Sequence, residues 1–370
     1  MATILIPTIL QDVHAAAVAV GLERMGHRPI RWFCGDVPQL SAASLWLGGT
    51  GRKSLRLQDY FGALSLDEVD VFWNRRLGEP VVNYPLVESD KQVAASESSK
   101  FVKSLLATIS QRTFSVNGYY EARMAENKFA QLAAADELGL RVPQTLISND
   151  PAEIRRFVAE HDEQGVVFKC FSPASWETDD GVSITFTAKI SSAALPRDEV
   201  VRLTPSIFQP YVPKAHELRI TVMGADVVAV QLQSQGTQAG RVDWRMVSPQ
   251  ELNITRVQLP ADIQAKCLAL LRRMNLTFGC LDFVVTPEGE YIFLEVNQMG
   301  QFLWIEEASP SIPLLQMFCE FLVARDAGFE YAPKARELSF LDIAGPACDL
   351  LEQDQRVHLQ PEKYPNVYRE

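Results

Sequence analysis

Leu281-Asp282-Phe283-Val284-Val285-Thr286-Pro287-Glu288-Gly289-Glu290-Tyr291-Ile292-Phe293-Leu294-Glu295-Val296-Asn297 is the stretch whose reading decides the fold. Two apolar runs flank a Pro-Glu-Gly segment, the pattern of a β-hairpin. A two-residue turn at Glu288 and Gly289 sets Asp282 directly opposite Glu295, with Asn297 two residues further along. Strand periodicity puts these three on one face and Leu281, Phe283, Val285, Ile292, Leu294 and Val296 on the other. The second face is wholly apolar and is therefore core. Opposed side chains on a sheet sit about 5 Å apart at Cβ, and like charges there are destabilising. Two carboxylates and an amide oxygen are hard ligands, which suit Mg²⁺ better than Zn²⁺.

Magnesium held by so few protein ligands usually coordinates nucleotide phosphates as well. Candidate cations for those phosphates lie upstream. Lys169 ends the apolar strand 166–169, and Lys128 lies on a helix whose Ala125, Phe129, Leu132 and Ala133 read as the buried stripe. In the strand 217–222, alternation places Glu217 and Arg219 on one face and Leu218, Ile220 and Val222 in the core. No G-x-x-x-x-G-K-[ST] and no G-x-G-x-x-G is present, so the Walker and Rossmann modes of nucleotide binding lack support.

Around these segments the sequence reads as an α/β chain. Its 370 residues suit roughly two to three domains of ~150 residues each. A net charge of −11 argues against broad nucleic-acid binding, because a phosphate backbone is repelled overall. The charge-free stretch 37–51 is laced with Gly, Ser and Pro, so no membrane span is expected, and residues 1–7 carry no basic region of a signal peptide. Cys34, Cys170, Cys267, Cys280, Cys319 and Cys348 stand far apart without a C-x-x-C, which disfavours a zinc site or disulfide framework and favours a reduced, cytoplasmic protein.

Strands are expected at 3–6, 29–33 and 69–73, a helix from Asp12 to about Met25, and a long helix after Pro85. These make a first α/β domain, 1–118. A central part, 119–205, starts with one helix over 121–138, continues with a Pro151-initiated helix, and holds strands 166–169 and 184–188 around a turn-rich, mobile separator, 172–181. The third part, 206–328, carries strands at 207–212, 217–222 and 227–233, helix 261–274, the hairpin and helix 312–323. The tail, 329–370, shows no clear periodicity and no assignable role.

A helix lysine, a strand lysine before a flexible loop, a hinge, an E-x-R strand and a D…E-x-N hairpin, in this order, resemble the ATP-grasp superfamily. More particularly the chain resembles the ATP-grasp peptide ligases that make microviridins and other graspetides. The stretches concerned are 72–76 (FWNRR), 126–145, 209–219 (QPYVPKAHELR), 242–245 (VDWR) and 293–306 (FLEVNQMGQFLWIE), spread over about 4–325.

The resemblance implies an ATP-grasp fold preceded by an N-terminal pre-ATP-grasp α/β domain. It implies ATP between two sheets, with Lys128 and Lys169 on phosphates under the 172–181 loop. Backbone groups of Gln209, Tyr211 and Val212 would read the adenine edge and Glu217 would hold the ribose. Arg219 would neutralise the transferring phosphoryl, and Asp282, Glu295 and Asn297 would bind Mg²⁺. Asp243, Trp244, Arg245, Gln301 and Trp304 are candidates for the peptide side, with core packing the alternative for both Trp. Arg75 and Arg76 would bind a substrate carboxylate or brace a domain interface. Some ATP-grasp enzymes place an arginine two residues before the metal-binding Asp, a position occupied in this chain by Cys280, which shifts the phosphate role towards Arg219.

The implied activity is ATP-dependent macrocyclisation of a ribosomally made precursor peptide with leader and core, joining Asp or Glu carboxyls to Ser/Thr hydroxyls or Lys amines. The runners-up are a ligase adding amino acids to a protein or small peptide, and a non-catalytic ATP- or peptide-binding regulator. A homodimer is a family-level expectation, and the leader is expected near the strand 182–190.

Overall fold

The computed structural model describes residues 1–48, 54–171, 175–178, 181–184, 187–236, 240–248 and 251–360. The chain opens with β1 (Thr3–Thr8), buried along its whole length. Asp12 caps α1 (Val13–Arg24) by accepting the Ala15 N–H at 3.3 Å. Gly26, at φ +78°, makes the left-handed turn that a Cβ would strain. It leads into β2 (Arg28–Phe33), parallel to β1. An antiparallel insertion follows: β3 (Ala42–Trp46), β4 (Ser54–Asp59) and β5 (Gly62–Ser65). The sequence reading passed over it, although Leu55 and Leu57, alternating with Arg56 and Gln58, carry a strand signal. β6 (Val71–Trp73), α2 (Glu88–Ser110) and β7 (Phe114–Val116) complete a four-stranded parallel sheet, order β2-β1-β6-β7.

The helix expected over 121–138 is two helices, α3 (Tyr119–Ala125) and α4 (Lys128–Glu137). Asn127 divides them: its side chain accepts the Ala130 N–H at 3.1 Å and restarts the helix. Lys128 is thereby the first residue of α4 rather than a mid-helix residue. β8 (Leu146–Ser148) precedes α5 (Pro151–Glu160), where Asp150 caps and Pro151 occupies the first turn. Next come β9 (Val166–Lys169), β10 (Ser175–Thr178), β11 (Gly181–Ile184), β12 (Ala188–Ile190), α6 (Asp198–Leu203) and β13 (Ser206–Pro210). Strands β12-β9-β13-β8 form one sheet, and β10 pairs with β11 as a separate hairpin. That hairpin replaces part of the expected separator, and the strand expected over 184–188 is divided between β11 and β12. Residues 172–174, 179–180 and 185–186 lie outside the described residues.

The third sheet is antiparallel and five-stranded, order β16-β15-β14-β17-β18. It is built from β14 (His216–Met223), β15 (Asp226–Leu232), β16 (Thr255–Val257), β17 (Phe278–Val285) and β18 (Tyr291–Asn297), with α7 (Ala261–Arg273) against one face. α8 (Leu303–Ala308) and α9 (Leu314–Ala324) bring its other face onto the N-terminal sheet, where Phe278, Phe302 and Phe318 pack with Ile6, Val18 and Trp73. Apolar residues surround α9 almost completely because it is buried between layers, where a one-sided stripe would leave polar groups in the core.

The tail corrects the reading of 329–370. α10 (Phe340–Val357) packs on α1, and Leu338, Phe340, Ile343 and Ala347 join the main core. Gly345 and Pro346 mask this stripe in the sequence, since both disfavour a helix interior. Pro346 has no N–H for the Asp342 carbonyl one turn back, and Arg24 Nη2 donates to that oxygen at 3.1 Å instead. Arg31 pairs with Asp354 through both carboxylate oxygens.

Candidate functional site

The hairpin β17–β18 has the register read from the sequence, by a different route. Its turn is one residue longer than expected: Gly289, at φ +84°, donates to the Thr286 carbonyl at 2.9 Å, and Thr286 N–H reaches the Glu290 carbonyl at 3.0 Å. A bulge next to Asp282 then absorbs one residue, and Asp282 again faces Glu295. Beyond the bulge the alternation flips. Phe293 takes the core place expected of Leu294 and meets Phe283 with ring centres 5.4 Å apart, while Leu294 is only partly buried.

Across β14, β17 and β18 the pairing aligns Arg219, Asp282 and Glu295 in one row. Arg219 Nη1 donates to both Asp282 oxygens at 2.9 Å, and Nη2 donates to the Gln301 carbonyl at 3.0 Å. Its Nε–H is buried with no hydrogen-bond partner among the described residues. Lys128 pairs with Glu295 Oε2, and Arg245 Nη2 reaches Glu295 Oε1 at 2.9 Å and Asp282 Oδ2 at 3.7 Å. Arg245 also holds Asp243 at 3.3 Å. Burial works to raise the Glu295 carboxyl, but Lys128, Arg245 and Lys169 overcome it and hold it far below the ordinary carboxylate range. Burial lowers the Lys169 ammonium, with Glu295 and Asp243 acting against that and Arg245 and Lys128 with it. The structure thus brings Lys128, Lys169, Arg219, Arg245, Asp243, Asp282 and Glu295 into one electrostatic cluster.

Asn297 lies at the same end, but its Oδ1 accepts the N–H of Met299 at 3.2 Å and of Gly300 at 3.0 Å. That oxygen shapes the following turn. Asp282 and Glu295 remain as an opposed pair of ionisable oxygen ligands, and among the described residues no group of three His, Cys, Asp or Glu forms a metal cage. Such a donor set fits a Mg²⁺ that takes its other ligands from phosphate and water.

On the other side, Glu217 is buried, which raises its carboxyl. Its Oε1 takes Lys214 Nζ at 2.6 Å and Ser234 Oγ at 2.9 Å, while Oε2 has no hydrogen bond among the described residues. Gln209 is in the β13 ladder and donates from Nε2 to Thr145 Oγ1 at 3.0 Å. Tyr211 N–H meets the Gly165 carbonyl at 2.8 Å and its own carbonyl accepts Gln164 Nε2 at 2.7 Å. Lys189 lies 4.4 Å from the Tyr211 ring centre. The peptide groups of Val212 are without hydrogen bonds among the described residues.

Trp244 and Trp304 stack on each other, ring centres 4.8 Å apart, both partly buried at the edge of the main core. Trp304 Nε1 donates to the Gln301 carbonyl at 3.0 Å. Arg75 is 1% exposed, holds Asp12 and reaches the Met299 and Gly300 carbonyls, so it stands at the junction of N-terminal unit and third sheet, while Arg76 lies 3.9 Å from the same Asp12 carboxylate.

Several residues that the sequence reading missed position the site. Gln131 pairs with the free edge of β18, accepting Val296 N–H and donating to Val296 C=O, both at 2.9 Å. Asn117 binds the backbone of Thr277, Phe278 and Gln298 with both ends of its amide. Glu306 is fully buried and accepts the N–H groups of Leu315 and Phe340 and a bond from Arg336. A buried amide at helical spacing from Lys128 was the available signal for Gln131; Asn117 and Glu306 carried none locally.

No family model and no curated relative matches the chain. Solved structures do. A RiPP-associated ATP-grasp ligase of Chryseobacterium gregarium, in complex with ADP and a leader and core peptide, is 27% identical over 88% of this chain and 99% of its own, with a TM-score of 0.79. The macrocyclase MdnC of Microcystis aeruginosa MRC, bound with precursor peptide MdnA, is 28% identical over 87% of this chain and 99% of its own, TM-score 0.75. The ATP-grasp ligase PsnB, complexed with minimal precursor, Mg and ADP, shares the fold at 21% identity and TM-score 0.66, over 87% of this chain and 97% of its own. The fold is that of the ATP-grasp ligases. Within that class the chain is similar, over most of its length, to the RiPP-associated macrocyclases.

Proposed function

We propose that this chain is an ATP-dependent macrocyclase that joins Asp or Glu side-chain carboxyls of a ribosomally made precursor peptide to Ser/Thr hydroxyls or Lys amines. The observation that carries the reading is the row Arg219–Asp282–Glu295 beneath Lys128, Lys169 and Arg245. It offers paired oxygen ligands and an excess of cations, which is what a magnesium-bound triphosphate requires.

In this reading Asp282 and Glu295 hold Mg²⁺, which neutralises phosphate charge when bound. Lys128 and Arg245 then exchange their carboxylate partners for phosphate or substrate oxygens. Glu217 Oε2 takes a ribose hydroxyl and the Val212 peptide groups meet the adenine edge. Arg245, tethered to Asp243 beside the stacked Trp244 and Trp304, holds the peptide's carboxylate. A carboxylate oxygen attacks the γ-phosphorus and ADP leaves, giving an acyl phosphate. Arg219 and Lys169 stabilise the charge on the transferring group. The hydroxyl or amine attacks the acyl carbon, phosphate departs, and the nucleophile's proton leaves with it. No enzyme nucleophile is needed, because positioning and charge neutralisation suffice.

The test is mass spectrometry of a candidate precursor peptide incubated with enzyme, ATP and Mg²⁺. Loss of one water per ring, with equal ADP release, is expected. Growth in mass by added residues, or no change under any condition, refutes the reading.

A further inference from the structure

Residues 299–303, which follow the hairpin, are gripped at both ends by the N-terminal unit. Arg75 Nη1 donates to the carbonyls of Met299 at 3.0 Å and Gly300 at 2.7 Å. His14 Nε2 accepts the N–H groups of Phe302 at 3.0 Å and Leu303 at 3.2 Å. Between them the Gln301 carbonyl accepts Arg219 Nη2. Asp12 fixes Arg75 in turn, with Nε and Nη2 on Asp12 Oδ1 at 3.2 and 3.1 Å.

Arg219 therefore has two anchors of different origin. Asp282, its neighbour in the same sheet, takes Nη1, and the Gln301 carbonyl takes Nη2. One anchor leaves a guanidinium free to pivot about it, whereas a second fixes its plane and hence the direction of every N–H. Nε–H has no partner among the described residues, so the plane decides where that donor points.

We propose that Arg75 and His14 are positioning residues, which act through the 299–303 loop to set the plane of the Arg219 guanidinium against the transferring phosphoryl group. The inference deepens the proposed function and rests on it. His14 serves only with Nε2 unprotonated, and burial together with Arg75 keeps it neutral, despite Asp12. The N-terminal unit carries no group of the phosphate cluster, yet it holds the carbonyl that orients the cluster's central arginine.

The test compares affinities for Mg·AMPPNP and Mg·ADP by calorimetry, since the ratio reads contact with the γ-phosphoryl position. The wild type is expected to prefer AMPPNP. Arg219→Met is expected to reduce that preference by roughly ten-fold or more, the scale of a lost charge-assisted bond. His14→Leu and Arg75→Met should each reduce it at least about three-fold, while His14→Gln, whose amide oxygen accepts both N–H groups, retains it. A merely structural role lowers Tm in His14→Leu and Arg75→Met but leaves the ratio at the wild-type value, and that result overturns the proposal. Should His14→Leu not fold, Arg75→Met and His14→Gln decide the matter by the same ratio. A wild type that binds neither nucleotide refutes the proposed function itself, and a wild type without AMPPNP preference overturns the role of Arg219 at the γ-phosphoryl position.

Discussion

Gln131 is the place where one substitution tests how α4 is fastened to the site. β18 is the edge of its sheet, and an open edge leaves backbone donors and acceptors unpaired. Gln131, 1% exposed, closes it by pairing with both peptide groups of Val296, and also donates to the Ala125 carbonyl at 2.5 Å. Arg141 closes it further along by accepting Phe293 N–H at 2.8 Å. Gln131→Leu keeps the volume but orphans Val296 N–H and C=O in a dry place. Each orphan costs about 1–3 kcal/mol, and added apolar burial returns part of it, so a net loss of roughly 2–4 kcal/mol is expected. Gln131→Glu retains an acceptor for Val296 N–H but sets a carboxylate against two carbonyls, and should do no better. Denaturant unfolding gives the loss, and hydrogen exchange over β18 localises it. Lys128 sits three residues earlier on the same helix face, so nucleotide affinity should fall as the loosened helix carries its ammonium away from the cluster around Glu295. A Gln131→Leu protein within about 0.5 kcal/mol of wild type, with unchanged β18 protection, refutes the reasoning.

Three further outcomes are expected. His14 is kept neutral in the folded chain while the unfolded chain takes up a proton below pH ~6.5, so its contribution is complete above that pH and is lost as pH falls. The loss grows as pH falls from 7.5 to 5.5 and is measured as the difference in denaturant stability between wild type and His14→Gln; parallel pH profiles would contradict it. Glu295→Gln should fold normally but lose Mg²⁺-dependent nucleotide binding by more than the roughly 10–100-fold typical of an outer-shell change, and calorimetry with unchanged affinity removes the carboxylate pair from the account. Removing residues from 330 onward strips Leu338, Phe340 and Ile343 from the core and leaves Glu306 without Arg336, a buried unpaired charge costing about 3–5 kcal/mol. Aggregation or a sharply lowered Tm is expected, and a truncated protein with wild-type Tm would return the tail to the status of an accessory.

What the sequence determined by itself is local. A two-residue turn at 288–289 set Asp282 opposite Glu295, a pairing the structure keeps because a bulge offsets its longer turn, and alternation over 217–222 put Arg219 on the face opposite Leu218 and Ile220, because a strand's side chains are assigned to faces by counting residues. Asp12 and Pro151 marked helix starts because a cap acts within one turn. The same locality explains the errors. A single asparagine cap at Asn127 divides a stretch of continuous helix formers, and Pro346 hides a helix whose lost backbone bond is replaced by Arg24, more than 300 residues away in sequence.

Only the tertiary structure decided what each charge and amide faces. The sequence names Asn297 as an oxygen ligand, but the turn after β18 brings two N–H groups onto that oxygen. It leaves Arg75 open between substrate and scaffold, and the docking of the N-terminal unit fixes it on Asp12 and the 299–300 carbonyls. Gln131 and His14 are ordinary helix residues until β18 and the 302–303 backbone arrive with unpaired groups. A buried polar group must find its partner wherever the fold supplies one, so its role is set by non-local contact and not by the residues on either side of it.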